Sequence, residues 1–109
     1  MTDVQGLLLA IVSQRSRPSH GFELGREAEQ RTGRLISAAT LYRSLHRLED
    51  SGYLSGEWED ADGKQAAHRG PKRRYYTITA PGQLALSRHL FHVQRVARAL
   101  GLPTVESAR

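Results

Sequence analysis

The stretch Ser37-Ala38-Ala39-Thr40-Leu41-Tyr42-Arg43-Ser44-Leu45-His46-Arg47-Leu48-Glu49-Asp50-Ser51-Gly52 decides the fold. A serine at its head is a good N-cap, because its hydroxyl accepts from an orphan amide of the first turn. The glycine at its tail suits the left-handed residue that ends a helix. Between them, residues placed at 100° intervals set Leu41, Leu45 and Leu48 on one stripe and Ala39, Thr40, Arg43, His46 and Arg47 on the opposite side. The spacing predicts a helix over 38–50 whose leucines face a core and whose outward face is small at its start and basic beyond.

Toward the N-terminus, Val4, Leu7, Leu8, Ile11 and Val12 recur at helical spacing and predict a first helix of about ten residues, broken by the segment from Arg15 to Pro18. Residues 20–32 favour a second helix with Phe22, Leu24 and Ala28 as buried positions, stopped by Gly33. Its apolar signal is weaker because Gly25 stands where a larger side chain would help. Toward the C-terminus, Tyr53-Leu54-Ser55-Gly56-Glu57-Trp58 and Arg74-Tyr75-Tyr76-Thr77-Ile78-Thr79 are short aromatic or β-branched runs that read as two strands. The loop between them ends in Arg69-Gly70-Pro71-Lys72-Arg73, so an antiparallel ribbon with a basic tip is expected. A lone ribbon is marginal, and Leu54, Tyr76 and Ile78 are its means of packing on the helices. A last helix follows Ala80-Pro81-Gly82 and runs to Leu100, before Gly101 and Pro103.

The chain has 109 residues, the size of one compact domain, and so small a core leaves a thin stability margin to which an oligomer interface would add. With no cysteine, neither disulfides nor a thiolate zinc site hold the fold. No run is long and apolar enough for a membrane span, and the N-terminus lacks the pattern of a secretory leader. A soluble, cytoplasmic protein is expected, with no membrane contact. Sixteen Lys and Arg against eleven Asp and Glu give a net charge of +5, and Lys64 and Lys72 are the only lysines. Arginine forks onto phosphate and guanine edges, although a high pI alone is a weak argument. Position decides.

Two basic elements answer that question. Ala39 lets the start of the third helix approach a major groove closely, while Thr40, Arg43, His46 and Arg47 reach base edges or phosphates. Helix-end amides near Ser37 and the Tyr42 hydroxyl suit the phosphate backbone. On the ribbon, Glu57, Glu59, Asp60 and Asp62 make the outgoing limb acidic, so Arg69, Lys72, Arg73 and Arg74 on the return limb carry the attraction. The competing reading is that Arg43 and Arg47 form an ordinary solvated face with Glu49 or Asp50 nearby.

These residues also carry a resemblance. His20-Gly21-Phe22-Glu23-Leu24, Thr40-Leu41-Tyr42, Leu45-x-Arg47-Leu48-Glu49-x-x-Gly52, Lys72-Arg73-Arg74-Tyr75-Tyr76 and Thr79-x-x-Gly82, in this order, resemble the PadR-like winged-helix transcriptional regulators between Leu7 and Leu86. The resemblance implies a dimeric winged helix-turn-helix repressor on an inverted-repeat operator, with residues 37–47 in the major groove and the hairpin as wing. It also implies that some members release DNA on binding a small aromatic or drug-like effector. Arg43 departs from the pattern, since the family commonly has proline after the Leu-Tyr pair, and the single short C-terminal helix matches the smaller members.

The last helix argues for a dimer without the family. Leu86, Leu90, Val93, Ala97 and Leu100 are spaced 4-3-4-3, the seam of two packed helices. Two heptads are too few alone, so the first helix, through Val4, Leu7, Leu8 or Ile11, is expected to share the interface, while Leu84 and Phe91 fasten the last helix to the wing. Palindromic DNA would then match the two-fold axis.

Enzyme readings lack an anchor. His89 and His92 have no carboxylate or cysteine to complete a metal set and are expected at the surface. His20 reads as a helix-start residue near the core. No Gly-x-Ser-x-Gly elbow or phosphate-binding glycine loop occurs, no cofactor is called for, and no aromatic pair on the last helix marks an effector site.

The expectation is therefore a mainly α fold with a small β-hairpin, a winged helix-turn-helix over 1–82, an added C-terminal dimerisation helix over 83–101 and a flexible tail over 102–109. Its function is sequence-specific binding of double-stranded DNA; the alternative is a winged-helix module for protein association.

Overall fold

The computed structural model describes residues 1–59 and 72–101. Helix α1 (Asp3–Ser13) leads to a short strand β1 (Ser19–His20), helices α2 (Gly21–Thr32) and α3 (Ala38–Asp50), strands β2 (Leu54–Trp58) and β3 (Arg74–Ile78), and helix α4 (Ala80–Ala99). The expected loop tip with Arg69, and the tail over 102–109, lie outside the described residues.

Local chemistry sets the boundaries. Thr2 and Gln5 form a reciprocal capping box at the head of α1. Ser37 Oγ accepts the Thr40 amide at 3.2 Å at the head of α3. At its tail Gly52, at φ 80°, donates to the Glu49 carbonyl while Tyr53 donates to that of Leu48, the paired bonds of a Schellman motif. Thr79 caps α4 through the Gly82 amide and donates its own hydroxyl to the Gly52 carbonyl at 2.6 Å. The end of α3 and the start of α4 are thereby stapled together.

The ribbon has a third strand. The order is β1-β3-β2, all antiparallel, with Ser19 opposite Tyr76, and Leu54 opposite Ile78 through to Trp58 opposite Arg74. Two residues carry no periodicity, which is why β1 is absent from the sequence reading; its pairing covers the edge of β3 that a hairpin would leave open.

One core joins the helices to the sheet. Leu8, Leu9, Ile11 and Val12 of α1, Leu24 and Ala28 of α2, Leu41, Leu45 and Leu48 of α3, and Leu54 and Tyr76 of the sheet are all buried, with Ile78 packed against them. Several expectations need correction. Phe22 is 62% exposed; Gly21 takes the inward position one residue earlier, and the Phe22 ring instead lies beside His20 and under Arg26. Gly25 is no defect, since a Cβ there would stand 2.9 Å from Leu41 Cδ2, so the glycine lets α2 and α3 close together. Leu8 and Ile11 are wholly consumed by the chain's own core, whereas Val4 and Leu7 are half-buried.

Helix α4 divides in two. Its first half lies on the domain: Gly82 sits against the Tyr53 carbonyl, Ala85 and Leu86 pack on the core, and His89 rests on Gly6 of α1. His89 is thus half-buried rather than a surface residue, and Leu86 faces its own domain. Beyond it Leu90, Val93, Val96 and Leu100 are exposed, as are Leu84 and Phe91 at 54% and 64%. Leu84 and Phe91 therefore do not fasten the helix to the wing; they point to the side of α4 away from Gly82, Leu86 and His89.

Candidate nucleic-acid interface

The leucine stripe fixes the outward face of α3. With Leu41, Leu45 and Leu48 inside, Ser37, Ala39, Tyr42, Arg43, His46 and Arg47 are exposed and Thr40 is half-buried. Thr40 is part of the cap, its hydroxyl accepting from Ser37 at 3.0 Å. The Tyr42 ring lies over Gly21, where a Cβ would stand 2.6 Å from Cε1, so the phenol marks the seam between α2 and α3. His46 Nε2 is 3.4 Å from Asp50 on the same face.

Charge pairing engages the cations that follow α1 and the one in the last turn of α2. Arg17 donates to Glu23 at 2.8 Å, Arg31 to Glu27 at 2.9 Å, and Arg15 lies 3.8 Å from Glu23. Those cations are satisfied within the chain. Among the described residues no carboxylate comes within 4.0 Å of Arg43 or Arg47: Glu49, the nearest candidate in sequence, is occupied by Arg74, and Asp50 lies beside His46.

Arg74, expected on the basic return limb, is engaged within the chain. Its guanidinium forks onto the Glu49 carboxylate, Nε to Oε1 at 3.0 Å and Nη2 to Oε2, and stacks under Trp58 at 5.1 Å. A cation so engaged is not presented outward. Lys72 and Arg73 are exposed at the base of the wing, where the Glu59 amide donates to the Arg73 carbonyl and the Arg73 amide donates to Glu59 Oε1, each at 2.8 Å. Arg69 lies outside the described residues.

Behind the interface, His20 caps α2: its Nδ1 accepts the Glu23 amide, and the Glu23 carboxylate accepts the His20 amide. Burial pushes the His20 pKa down, opposed by Glu23 and assisted by Arg73 and Arg17. The hydrogen bond from Arg17 holds the Glu23 carboxyl at about 2. Nothing in sequence spacing shows that this cap also touches the wing, yet the His20 ring meets Tyr75 of β3 edge-on at 5.5 Å. Arg34, with Val4, Leu7, Leu35 and Ile36, borders a hollow of ≈ 730 Å³ that reaches Ser37 and Thr40.

Three helices with a capped helix of exposed basic face third in order, followed by an antiparallel wing, form a winged helix-turn-helix. The model of the Transcriptional regulator PadR-like family matches residues 8–88. The chain belongs to this family. Membership places the PadR-like chain among transcriptional regulators and carries its non-enzymatic character. It is 37% identical over 79 residues, 72% of the chain, to Transcriptional regulator Rv3488 of Mycobacterium tuberculosis, and spans 66% of that protein's length. Solved structures agree in fold. A PadR-like transcriptional regulator from Bacillus cereus has a TM-score of 0.70 at 26% identity, covering 90% of this chain and 87% of the other. A PadR family transcriptional regulator from Eggerthella lenta has a TM-score of 0.66 at 28% identity, covering 87% and 78%. No helix among the described residues of this PadR-like chain is long and apolar enough to cross a membrane.

Proposed function

We propose that the chain is a sequence-specific double-stranded DNA-binding repressor, cytoplasmic, acting as a homodimer on a palindromic operator. The observation that carries this is the outward face of α3, where Arg43 and Arg47 are exposed and have no carboxylate partner among the described residues, while the leucines behind them are buried. Exposed Ala39 allows close approach to a groove floor, Arg43 and Arg47 reach base edges, and His46 and Thr40 add polar contacts. Ser37, Tyr42, Lys72, Arg73 and Arg69 hold flanking phosphates. Residues 1–82 bear the DNA contacts. Within 83–101, the exposed Leu90, Val93 and Leu100, with half-buried Ala97, form the dimer seam, and Val4 and Leu7 of α1 extend it. Two-fold symmetry would set paired α3 helices about 34 Å apart, one turn of duplex.

Selection of bound duplexes from a random library tests this. The expected result is enrichment of one inverted repeat, bound with a steep fall in affinity as salt rises. A library returned without enrichment would contradict the proposal and leave a protein-association module.

A further inference from the structure

Glu49 and Arg74 are 25 residues apart in sequence and tie the last turn of α3 to the return strand of the wing. The guanidinium fork on a carboxylate fixes direction as well as distance. Trp58, directly opposite Arg74 in the ladder, holds its ring centre 5.1 Å from the guanidinium carbon. Gly56 leaves the room, since a Cβ there would stand 2.6 Å from Arg74 Nε and 2.8 Å from Glu49 Oε1. Both partners are about three-quarters buried, with side-chain exposures of 26% and 24%, and the bond from Arg74 is the leading cause that lowers the Glu49 pKa. A helix and a wing that touch one duplex act as two linked sites, and the stiffness of the link sets the effective concentration of the second contact once the first is made.

We propose that Glu49 and Arg74 are positioning residues: they fix the angle between α3 and the wing, and so determine how much the base pairs flanking the helix contacts add to operator affinity. This rests on the DNA-binding reading above. The test uses the full chain with the selected operator in two lengths, complete and trimmed to the base pairs under the two α3 helices. Glu49→Gln keeps size and removes charge; Arg74→Lys keeps charge and removes the fork. Both variants should lose about tenfold on the complete duplex yet stay within about twofold of the parent on the trimmed one. Trp58→Leu, which leaves the ion pair in place, should move the same way by less, and decides the matter should either pair variant fail to melt cooperatively. Equal losses on both duplexes would overturn the proposal in favour of general support of the fold. Weaker binding by Arg74→Lys with none by Glu49→Gln would overturn it in favour of a direct phosphate contact by Arg74. A parent that bound neither duplex would instead remove the DNA reading itself.

Discussion

His20 and Glu23 cap one another across the first turn of α2, the Glu23 amide donating to His20 Nδ1 at 3.4 Å and the His20 amide to Glu23 Oε1 at 3.2 Å. An acceptor nitrogen must be unprotonated, and burial already disfavours the charged ring. The folded pKa lies below the unfolded value, so the unfolded chain binds the proton more readily and stability falls as pH drops below about 6.5. His20→Asn, which keeps a capping acceptor, should flatten the melting temperature between pH 7 and 5. An unchanged slope would show that the imidazole is not its source.

Glu23 acts in a lower window. Its carboxyl is held at about 2 by the Arg17 hydrogen bond, so its contribution is complete above the ordinary value of 4.5 and is lost as pH falls from there toward 2. Glu23→Gln retains the oxygen that accepts the His20 amide and removes the charge. The variant should lose less stability than the parent between pH 5 and 3, read from urea midpoints; parallel curves would deny the pair its role.

Gly82 offers a test by sign. Alanine in a helix is ordinarily favoured over glycine by up to about 1 kcal/mol. Here the added Cβ would meet the backbone carbonyl of Tyr53, which cannot swing aside. Gly82→Ala should therefore destabilise by about 1–3 kcal/mol, measured by chemical denaturation, and a more stable variant would contradict the packing of α4 on the domain.

Along α4 the two halves should respond differently. Val93→Glu, at an exposed seam position, should convert a dimer to a folded monomer in sedimentation equilibrium. Leu45→Ala, at a wholly buried site, should instead cost about 2–5 kcal/mol of folding stability. A Val93→Glu protein that stayed dimeric would exclude this seam.

Helix α3 was legible from its own residues because Ser37, three leucines at helical spacing and Gly52 all state the same boundaries locally. The outward placement of Ala39, Arg43 and Arg47 follows from that stripe alone. What escaped was tertiary. Phe22 turns outward because Gly21 and Gly25 bring α2 against Tyr42 and Leu41, an approach that no periodicity within α2 encodes. Strand β1 exists only through β3, and Arg74 folds onto Glu49 across 25 residues of chain, a contact no local pattern encodes. Helical spacing sets Leu84 and Phe91 off the seam but does not fix what lies opposite them, and both are exposed.

The central claim is that α3 reads bases while the wing holds the backbone. Affinities of the parent, Arg43→Ala and Arg73→Ala for the selected operator, its single-base variants and random duplex test it most directly. Arg43→Ala should lose about 1–3 kcal/mol on the operator and relax preference at one position of each half-site, whereas Arg73→Ala should weaken every duplex alike and shallow the salt dependence by about one charge. Parent-like base preference and affinity in Arg43→Ala would contradict the account.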